Sequence, residues 1–230
     1  MSEPVQRLVE TGRLFAVQQD LDGRRFARIT LQDGQLFLHS LLHQQTPAHT
    51  IQESEVVGLL DPSCTLAFLD LGWAGSSRGR VTIRLAPDTP LARQFVLLCT
   101  GQWGPTYHNS KLFGVWEMGQ AGEWAIAQAG EWVEGGDYES NDGRGGATLL
   151  PDLRGQYRRS GRAGSVWSWC GLGRARGAKF GITTRDHPNC HRWLQVFGEV
   201  VSGLDVLRAA FNHSYITEVI VVDCGVLLPL

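Results

Sequence analysis

Several features are missing from this chain, and each absence excludes a class of protein. No apolar run reaches the roughly 18 to 20 residues that a membrane-spanning helix needs. The segment Met1-Ser2-Glu3-Pro4 has neither the basic nor the apolar region of a signal peptide. The five cysteines are an odd number without a C-x-x-C pair, which predicts reduced thiols and no zinc site. We expect a cytoplasmic or nuclear protein with no membrane partner, metal or cofactor.

Excess charge of one sign is also missing, since 21 basic and 23 acidic residues give a formal net charge of −2. That balance argues against a surface built as a whole for polyanions. Locally the charge is divided: residues 115–142 carry seven acidic residues and no Lys or Arg, whereas residues 154–192 carry nine basic residues. The basic segment is either solvated surface or a contact for an acidic peptide or nucleic acid through Arg158, Arg159, Arg174 and Arg176.

Residues 1–62 have the pattern of a small β-rich extension. The pairs Asp22-Gly23 and Asp33-Gly34 separate apolar runs, and Asp-Gly favours tight hairpin turns because both residues tolerate a positive φ. The pattern predicts a three-stranded meander. Asp61-Pro62 then interrupts the chain, so we divide it into an extension at 1–62 and a main domain at 63–230.

The main domain alternates short strands with two helices. Two apolar alternations, Leu66-Leu71 and Arg80-Leu85, flank a turn-like segment and predict a hairpin. Helical spacing follows at Pro90 to Cys99 and again at Gly203 to Phe211. A β-branched strand at Glu218 to Val222 comes last.

A series of short motifs accompanies these elements in a fixed order: Phe68-Leu69-Asp70, Gly79-Arg80-Val81, Cys99-Thr100-Gly101, Gly135-Gly136-Asp137, Asn141-Asp142-Gly143, Phe197-Gly198-Glu199-Val200 and Asp223-Cys224-Gly225. In this order the motifs resemble those of the cyclophilins, a family of peptidyl-prolyl cis-trans isomerases. The resemblance implies a mainly β fold, a closed eight-stranded barrel with two capping helices.

The resemblance also implies where the catalytic groove lies, and there the residues differ from the family pattern. Val115 stands where the family has the arginine that stabilises the twisted imide bond, and an alkyl group cannot donate that hydrogen bond. The other groove positions with unlike residues are Glu131, Trp132, Glu134, Trp169, Lys179, Gly181, Asn189, Cys190 and Leu194. A carboxylate without a partner in an apolar proline pocket would cost several kcal/mol, so we expect the pocket to be reshaped or open to water.

An insertion before Gly135 contains a short duplication. Gln-Ala-Gly-Glu-Trp at 120–124 returns at 128–132, an offset of eight residues. Because strands alternate with a period of two, an extended segment would place Trp116, Trp124 and Trp132 on one face. These tryptophans either pack over the groove or anchor a protein partner, and the two roles are compatible.

From these features we expect a catalytically inactive cyclophilin-like protein that acts as a protein-interaction or assembly module. Its partner would be a protein, with an acidic segment as the candidate contact for the arginines and Lys179. One alternative is a weak isomerase or proline-peptide binder with a rearranged pocket. A third is a nucleic-acid-associated module that uses the arginine loops.

Overall fold

The architecture comes from a computed structural model that describes residues 3–21, 23–87, 89–114, 116–118, 124–126, 132–169, 171, 173–186, 194–213 and 216–229. The strands there are β1 (Leu14–Asp20), β2 (Gly23–Gln32), β3 (Gln35–His39), β4 (His49–Gln52), β5 (Leu66–Trp73), β6 (Ser76–Leu85), β7 (Phe113–Gly114), β8 (Trp116–Met118), β9 (Trp124–Ile126), β10 (Trp132–Gly135), β11 (Ser165–Trp169), β12 (Phe180–Thr183), β13 (Leu194–Ser202) and β14 (Ile220–Leu228). The helices are α1 (Glu3–Glu10), α2 (Glu53–Val57), α3 (Pro90–Thr100) and α4 (Leu204–Phe211), with 3₁₀ turns at Arg174–Arg176 and Ile216–Glu218. None of these helices is long and apolar enough to cross a membrane.

Most strands join one sheet. Its order is β4-β1-β2-β3-β14-β5-β6-β13-β11-β12-β10-β7, while β8 and β9 pair only with each other in the described part of the chain. The last eight strands of that order are those of the predicted barrel. Just before β7, Lys111 forms an isolated bridge with Ile220 at the start of β14, so the two ends of this eight-strand series lie side by side. The mainly β prediction is confirmed.

The predicted helix after β6 begins and ends as its sequence indicates. Thr89 precedes α3 and accepts a hydrogen bond from the Ala92 backbone N–H, and Pro90 occupies the first turn. Gly101 ends the helix with a φ of 71°, in the left-handed region that glycine tolerates best. Helix α4 confirms the second prediction and lies against β5 and β6.

The extension contains the predicted meander, because β1, β2 and β3 pair antiparallel in sequence order. Asp33 and Gly34 form the second turn with φ values of 49° and 72°, as a tight hairpin requires. Helices α1 and α2 were not predicted from the sequence. Neither was strand β4, which pairs in parallel with β1. Strand β3 continues onto the barrel by pairing with β14, so the meander extends the barrel sheet. The border near residue 62 stays a prediction.

Side chains also join the extension to the barrel. Nδ1 of His39 lies 2.8 Å from Oδ2 of Asp223, and its Nε2 lies 2.8 Å from Oγ1 of Thr30. Burial raises the pKa of Asp223, but the His39 hydrogen bond and the charge of Arg28 outweigh it and hold the pKa below its usual value. The carboxylate of β14 therefore stays ionised where the two parts of the sheet meet.

Candidate functional site

The predicted groove lies on the face of β10, β12, β11 and β13 that points away from the main core. Side chains alternate along a strand, so residues between core positions face the other way. Val133, Val166 and Ile182 belong to the main core. On the opposite face a second, separate cluster of buried side chains packs together: Trp132, Trp167, Leu194 and Val196, with Trp169 partly buried against them.

Indole rings dominate this second cluster. The ring centroids of Trp167 and Trp169 are 5.0 Å apart, and those of Trp132 lie 6.0 Å from Trp167 and 6.4 Å from Trp169. All three pairs meet edge to face, with interplanar angles of 75° to 80°. This geometry suits the quadrupoles of aromatic rings and adds to the free energy gained by burial.

Trp167 occupies the space above Gly181. The two residues are cross-strand partners on β11 and β12, and a Cβ on Gly181 would overlap the ring atoms Cζ2 and Cη2 of Trp167. Nε1 of Trp167 donates a hydrogen bond of 3.0 Å to Oγ1 of Thr183, and the residue is 1% exposed. The wall that a large side chain at 181 would form is therefore built by an indole from the neighbouring strand.

Trp167 was not predicted to be a groove residue. A signal was present, because Trp167 and Trp169 alternate with serines in Ser-Val-Trp-Ser-Trp while a glycine stands at the groove position 181. Reading it required knowing that β11 and β12 pair in this register.

Glu134 has partners in the groove. Nε1 of Trp169 donates a hydrogen bond of 2.9 Å to Oε1 of Glu134, and Nζ of Lys179 lies 3.7 Å from Oε2. Lys179 also donates to the backbone oxygen of Gly143 over 2.9 Å. The two charged side chains are only 17% and 13% exposed, so Lys179 lies in a network within the groove. A paired carboxylate costs far less to bury than a lone one.

A tight loop after β10 holds one side of this network. Asp137 is fully buried and accepts hydrogen bonds from Ser140 and from the backbone N–H groups of Gly143 and Gly145. Burial raises the pKa of Asp137, but these hydrogen bonds outweigh it and hold the pKa well below its usual value. A Cβ on Gly145 would overlap the Asp137 carboxylate, so the loop needs glycine there.

Several predicted site residues lie outside the described residues, namely Val115, Glu131, Asn189 and Cys190. Trp116 and Trp124 lie in β8 and β9, where Met118 pairs with Trp124, but their side chains are not among those described. Trp132 lies in β10, on the twelve-stranded sheet, and its indole packs against Trp167 and Trp169. The common stripe of Trp116, Trp124 and Trp132 stays a prediction.

The predicted arginines are all exposed: Arg158, Arg159, Arg174 and Arg176. Arg158 bridges to Val196 of β13 through its backbone, while Arg174 and Arg176 lie in the 3₁₀ turn after β11. Within the described ranges, neither Arg174 nor Arg176 forms a salt bridge. Both guanidinium groups can therefore accept an anionic partner without first breaking an ion pair.

Comparison with known proteins agrees with this architecture. The family model described as cyclophilin type peptidyl-prolyl cis-trans isomerase/CLD matches residues 69–226. A protein named peptidyl-prolyl cis-trans isomerase 9, from Caenorhabditis elegans, is 29% identical over 176 residues, which cover 70% of this chain and 54% of that protein. The chain thus spans about half the length of the curated relative it matches.

Proposed function

We propose that this chain, which belongs to the family of cyclophilin-type peptidyl-prolyl cis-trans isomerases, is catalytically inactive and acts as a protein-interaction or assembly module. The observation that carries the proposal is the Trp167 indole in the space above Gly181. In the family a phenylalanine wall at that position encloses the substrate proline. Here the indole takes that volume, and Trp169 fixes Glu134 beside it.

The chemistry of isomerisation supports the same proposal. The family catalyses rotation without a covalent step, by donating a hydrogen bond to the twisted amide and holding the proline ring in an apolar pocket. Val115 has no donor group. The groove instead contains the ion pair between Glu134 and Lys179, which is a poor neighbour for an apolar ring.

An interaction role is supported by features outside the groove. The insertion with Trp116 and Trp124 forms its own two-stranded sheet, and exposed arginines lie on the loops after β11 and before it. Tryptophan and arginine are the residue types that most often dominate binding energy in protein interfaces.

An exchange assay on a short Ala-Pro peptide tests the inactivity. Uncatalysed cis/trans exchange takes on the order of tens of seconds, and we expect micromolar protein to leave that rate unchanged. A matched variant with Val115→Arg, Trp167→Ser and Gly181→Phe restores the arginine donor and the phenylalanine wall of the proline pocket. If either protein accelerates exchange, we expect it to be this variant. Clear turnover by the unaltered protein would establish the weak isomerase instead.

A pull-down of the partner in increasing salt tests the interaction role. Pairs between exposed charges are screened over about 8 to 10 Å at physiological ionic strength, so capture through the arginines should weaken steeply with salt. Reversing Arg158, Arg159, Arg174 and Arg176 to glutamate should abolish capture while the melting curve stays unchanged. Full capture by that variant would remove the arginines from the interface, and capture of nucleic acid alone would favour the third alternative.

A further inference from the structure

A cleft of about 300 Å³ opens next to the 3₁₀ turn that follows β11. We call it the Arg174 cleft. Its apolar lining includes Leu91 of α3, Leu150 and Leu153, and its polar lining includes Ser168, Gln195 and Arg174. Mostly apolar walls with a few convergent polar groups are typical of binding sites, and this volume is at the lower end of their usual size.

Two of the polar residues lie where the strand pattern would place core side chains. Ser168 on β11 and Gln195 on β13 are direct cross-strand partners. Two residues away on each strand, Val166 and Phe197 belong to the main core. Because strand side chains repeat every two residues, Ser168 and Gln195 continue the core face past the end of the packed core. They bring a hydroxyl and an amide to the floor of the cleft.

These polar groups have no partner of their own. Ser168 is 3% exposed, and within the described ranges neither its hydroxyl nor the Gln195 amide forms a hydrogen bond. Solvent reaches their polar atoms through the cleft, because neither is among the fully buried side-chain atoms that lack a partner. A peptide group can therefore replace water on the hydroxyl and on the amide. The cleft therefore favours an occupant that carries peptide-like donors and acceptors as well as apolar groups.

The charge at the rim points to an anionic group on that occupant. Arg154 and Asp152 also line the cleft and neutralise each other, with Nη2 and Oδ2 2.8 Å apart. Arg174 is exposed at the rim, and Arg176 follows it in the same turn, both without a salt bridge in the described part. A carboxylate matches the guanidinium of Arg174 in charge and in planar geometry.

We propose that the Arg174 cleft binds a peptide segment of a protein partner in which an acidic side chain follows an apolar one. The apolar side chain lies between Leu91, Leu150 and Leu153, the acidic one pairs with Arg174, and the peptide groups bond to Ser168 and Gln195. This assignment rests on the proposed interaction role, for which it names the chemistry of the partner.

A titration of the full chain followed by nuclear magnetic resonance tests the cleft directly. The probes are two blocked tetrapeptides, acetyl-Ser-Leu-Glu-Leu-amide and the same peptide with glutamine in place of glutamate. We expect the acidic peptide to shift the resonances of the Ser168 backbone amide and the Gln195 side-chain amide. The glutamine peptide should bind about tenfold more weakly.

Three variants locate the binding energy. Arg174→Gln should reduce the affinity for the acidic peptide to that for the glutamine peptide, whereas Arg185→Gln, at an exposed arginine outside the cleft, should leave it unchanged. Ser168→Ala should weaken both peptides alike. Equal affinity for the two peptides, unaffected binding by Arg174→Gln, or no shift at millimolar peptide would overturn the assignment. None of these results would change the outcome of the exchange assay. The absence of peptide binding in the Arg174 cleft can therefore be distinguished from isomerase activity in the groove.

Discussion

At the scale of single residues, Trp167 and Gly181 share one volume between two strands. The larger side chain belongs to β11, and the smaller residue leaves room for it on β12. Either residue alone is therefore a poor guide to the shape of the groove, because each is compatible with the fold only in the presence of the other.

A double-mutant cycle measures this dependence. Trp167→Ser alone should lower the free energy of unfolding by about 3 to 5 kcal/mol, because it leaves a cavity. Gly181→Phe alone should also destabilise, by at least about 1 to 3 kcal/mol, because it overlaps the indole. Together they should cost at least about 1 kcal/mol less than the sum of the two. Urea unfolding followed by far-ultraviolet circular dichroism gives all four values.

The control for this cycle pairs Trp167→Ser with Gly173→Ala. Gly173 lies in an open loop where a Cβ would meet nothing within 4 Å, so those two effects should add. Additive effects in the Gly181 pair as well would show that Trp167 does not substitute for a wall residue.

Asp137 gives the fold a defined pH dependence. Its folded pKa is depressed below the unfolded value of about 3.9, so its stabilisation is fully present above that pH and is lost as the pH falls through the lower folded pKa. Asp137→Asn should lower the free energy of unfolding at pH 7 by at least about 2 kcal/mol, since buried bonds to a charge are strong. The gap between variant and unaltered protein should narrow below about pH 4.

Denaturant titrations at several pH values check this expectation. Asp152→Asn is the matched control, because that carboxyl is at the surface and pairs with exposed Arg154. A gap between Asp137→Asn and the unaltered protein that is the same at pH 3 and pH 7 would contradict an ionised, hydrogen-bonded Asp137.

At the scale of elements, the parts predicted from the sequence are those encoded by local patterns. Helix α3 was predicted because apolar spacing and the terminal Gly101 lie within one short stretch. Strand β4 was missed because its four residues, His49–Gln52, are mostly exposed and form a strand only by pairing in parallel with β1. Helix α1 was missed although Val5, Leu8 and Val9 have helical spacing, since eight residues are a short signal.

The groove was likewise predicted only in part from the sequence. Its unlike residues could be identified by position along the chain, so Glu134, Trp169 and Gly181 were identified from the sequence. What those residues do depends on contacts between strands: Trp169 bonds to Glu134 across 35 residues, and Trp167 covers Gly181 from the adjacent strand. No local pattern encodes such contacts, which is why the ion pair with Lys179 and the role of Trp167 emerged only from the structure.

The β8–β9 element should matter more for binding than for folding. In the described part, these strands pair with each other and with no strand of the large sheet. Deleting residues 120–127 removes one copy of the duplication and, with it, β9. We expect the shortened protein to stay folded and lose about 1 to 3 kcal/mol of stability at most. Partner capture should fall further, by at least about 2 kcal/mol, if Trp124 is an anchor.

A melting curve and a pull-down on the same variant separate the two effects. Trp124→Ser keeps the length of the insertion and should reproduce the loss of capture with less effect on melting. Collapse of the shortened protein, or full capture by it, would each defeat the idea that the insertion is a binding element.

At the scale of the whole molecule, one core spans the extension and the barrel. Ile29 and Leu38 of the meander belong to the same buried cluster as Leu69 and Cys224 of the barrel. Burial raises the pKa of the Cys224 thiol to about 12, which keeps the thiol protonated and unreactive. The sheet is likewise continuous through β3 and β14. Packing and hydrogen bonding thus predict that the extension and the barrel unfold together.

A substitution in the extension tests whether the two parts unfold together. All eight tryptophans lie beyond residue 62, so indole fluorescence reports only on the barrel side of the chain. Leu38→Ala removes a side chain that is 1% exposed in the meander and should lower the free energy of unfolding by about 2 to 5 kcal/mol. If the core is shared, the whole fluorescence transition in urea should move to a lower denaturant concentration with an unchanged slope.

The matched variant is Leu21→Ala, at a fully exposed leucine, and it should leave the midpoint of the fluorescence transition unchanged. If Leu38→Ala leaves the fluorescence transition unchanged, residues 63–230 fold as an independent domain, and the extension packs against them without contributing to their stability.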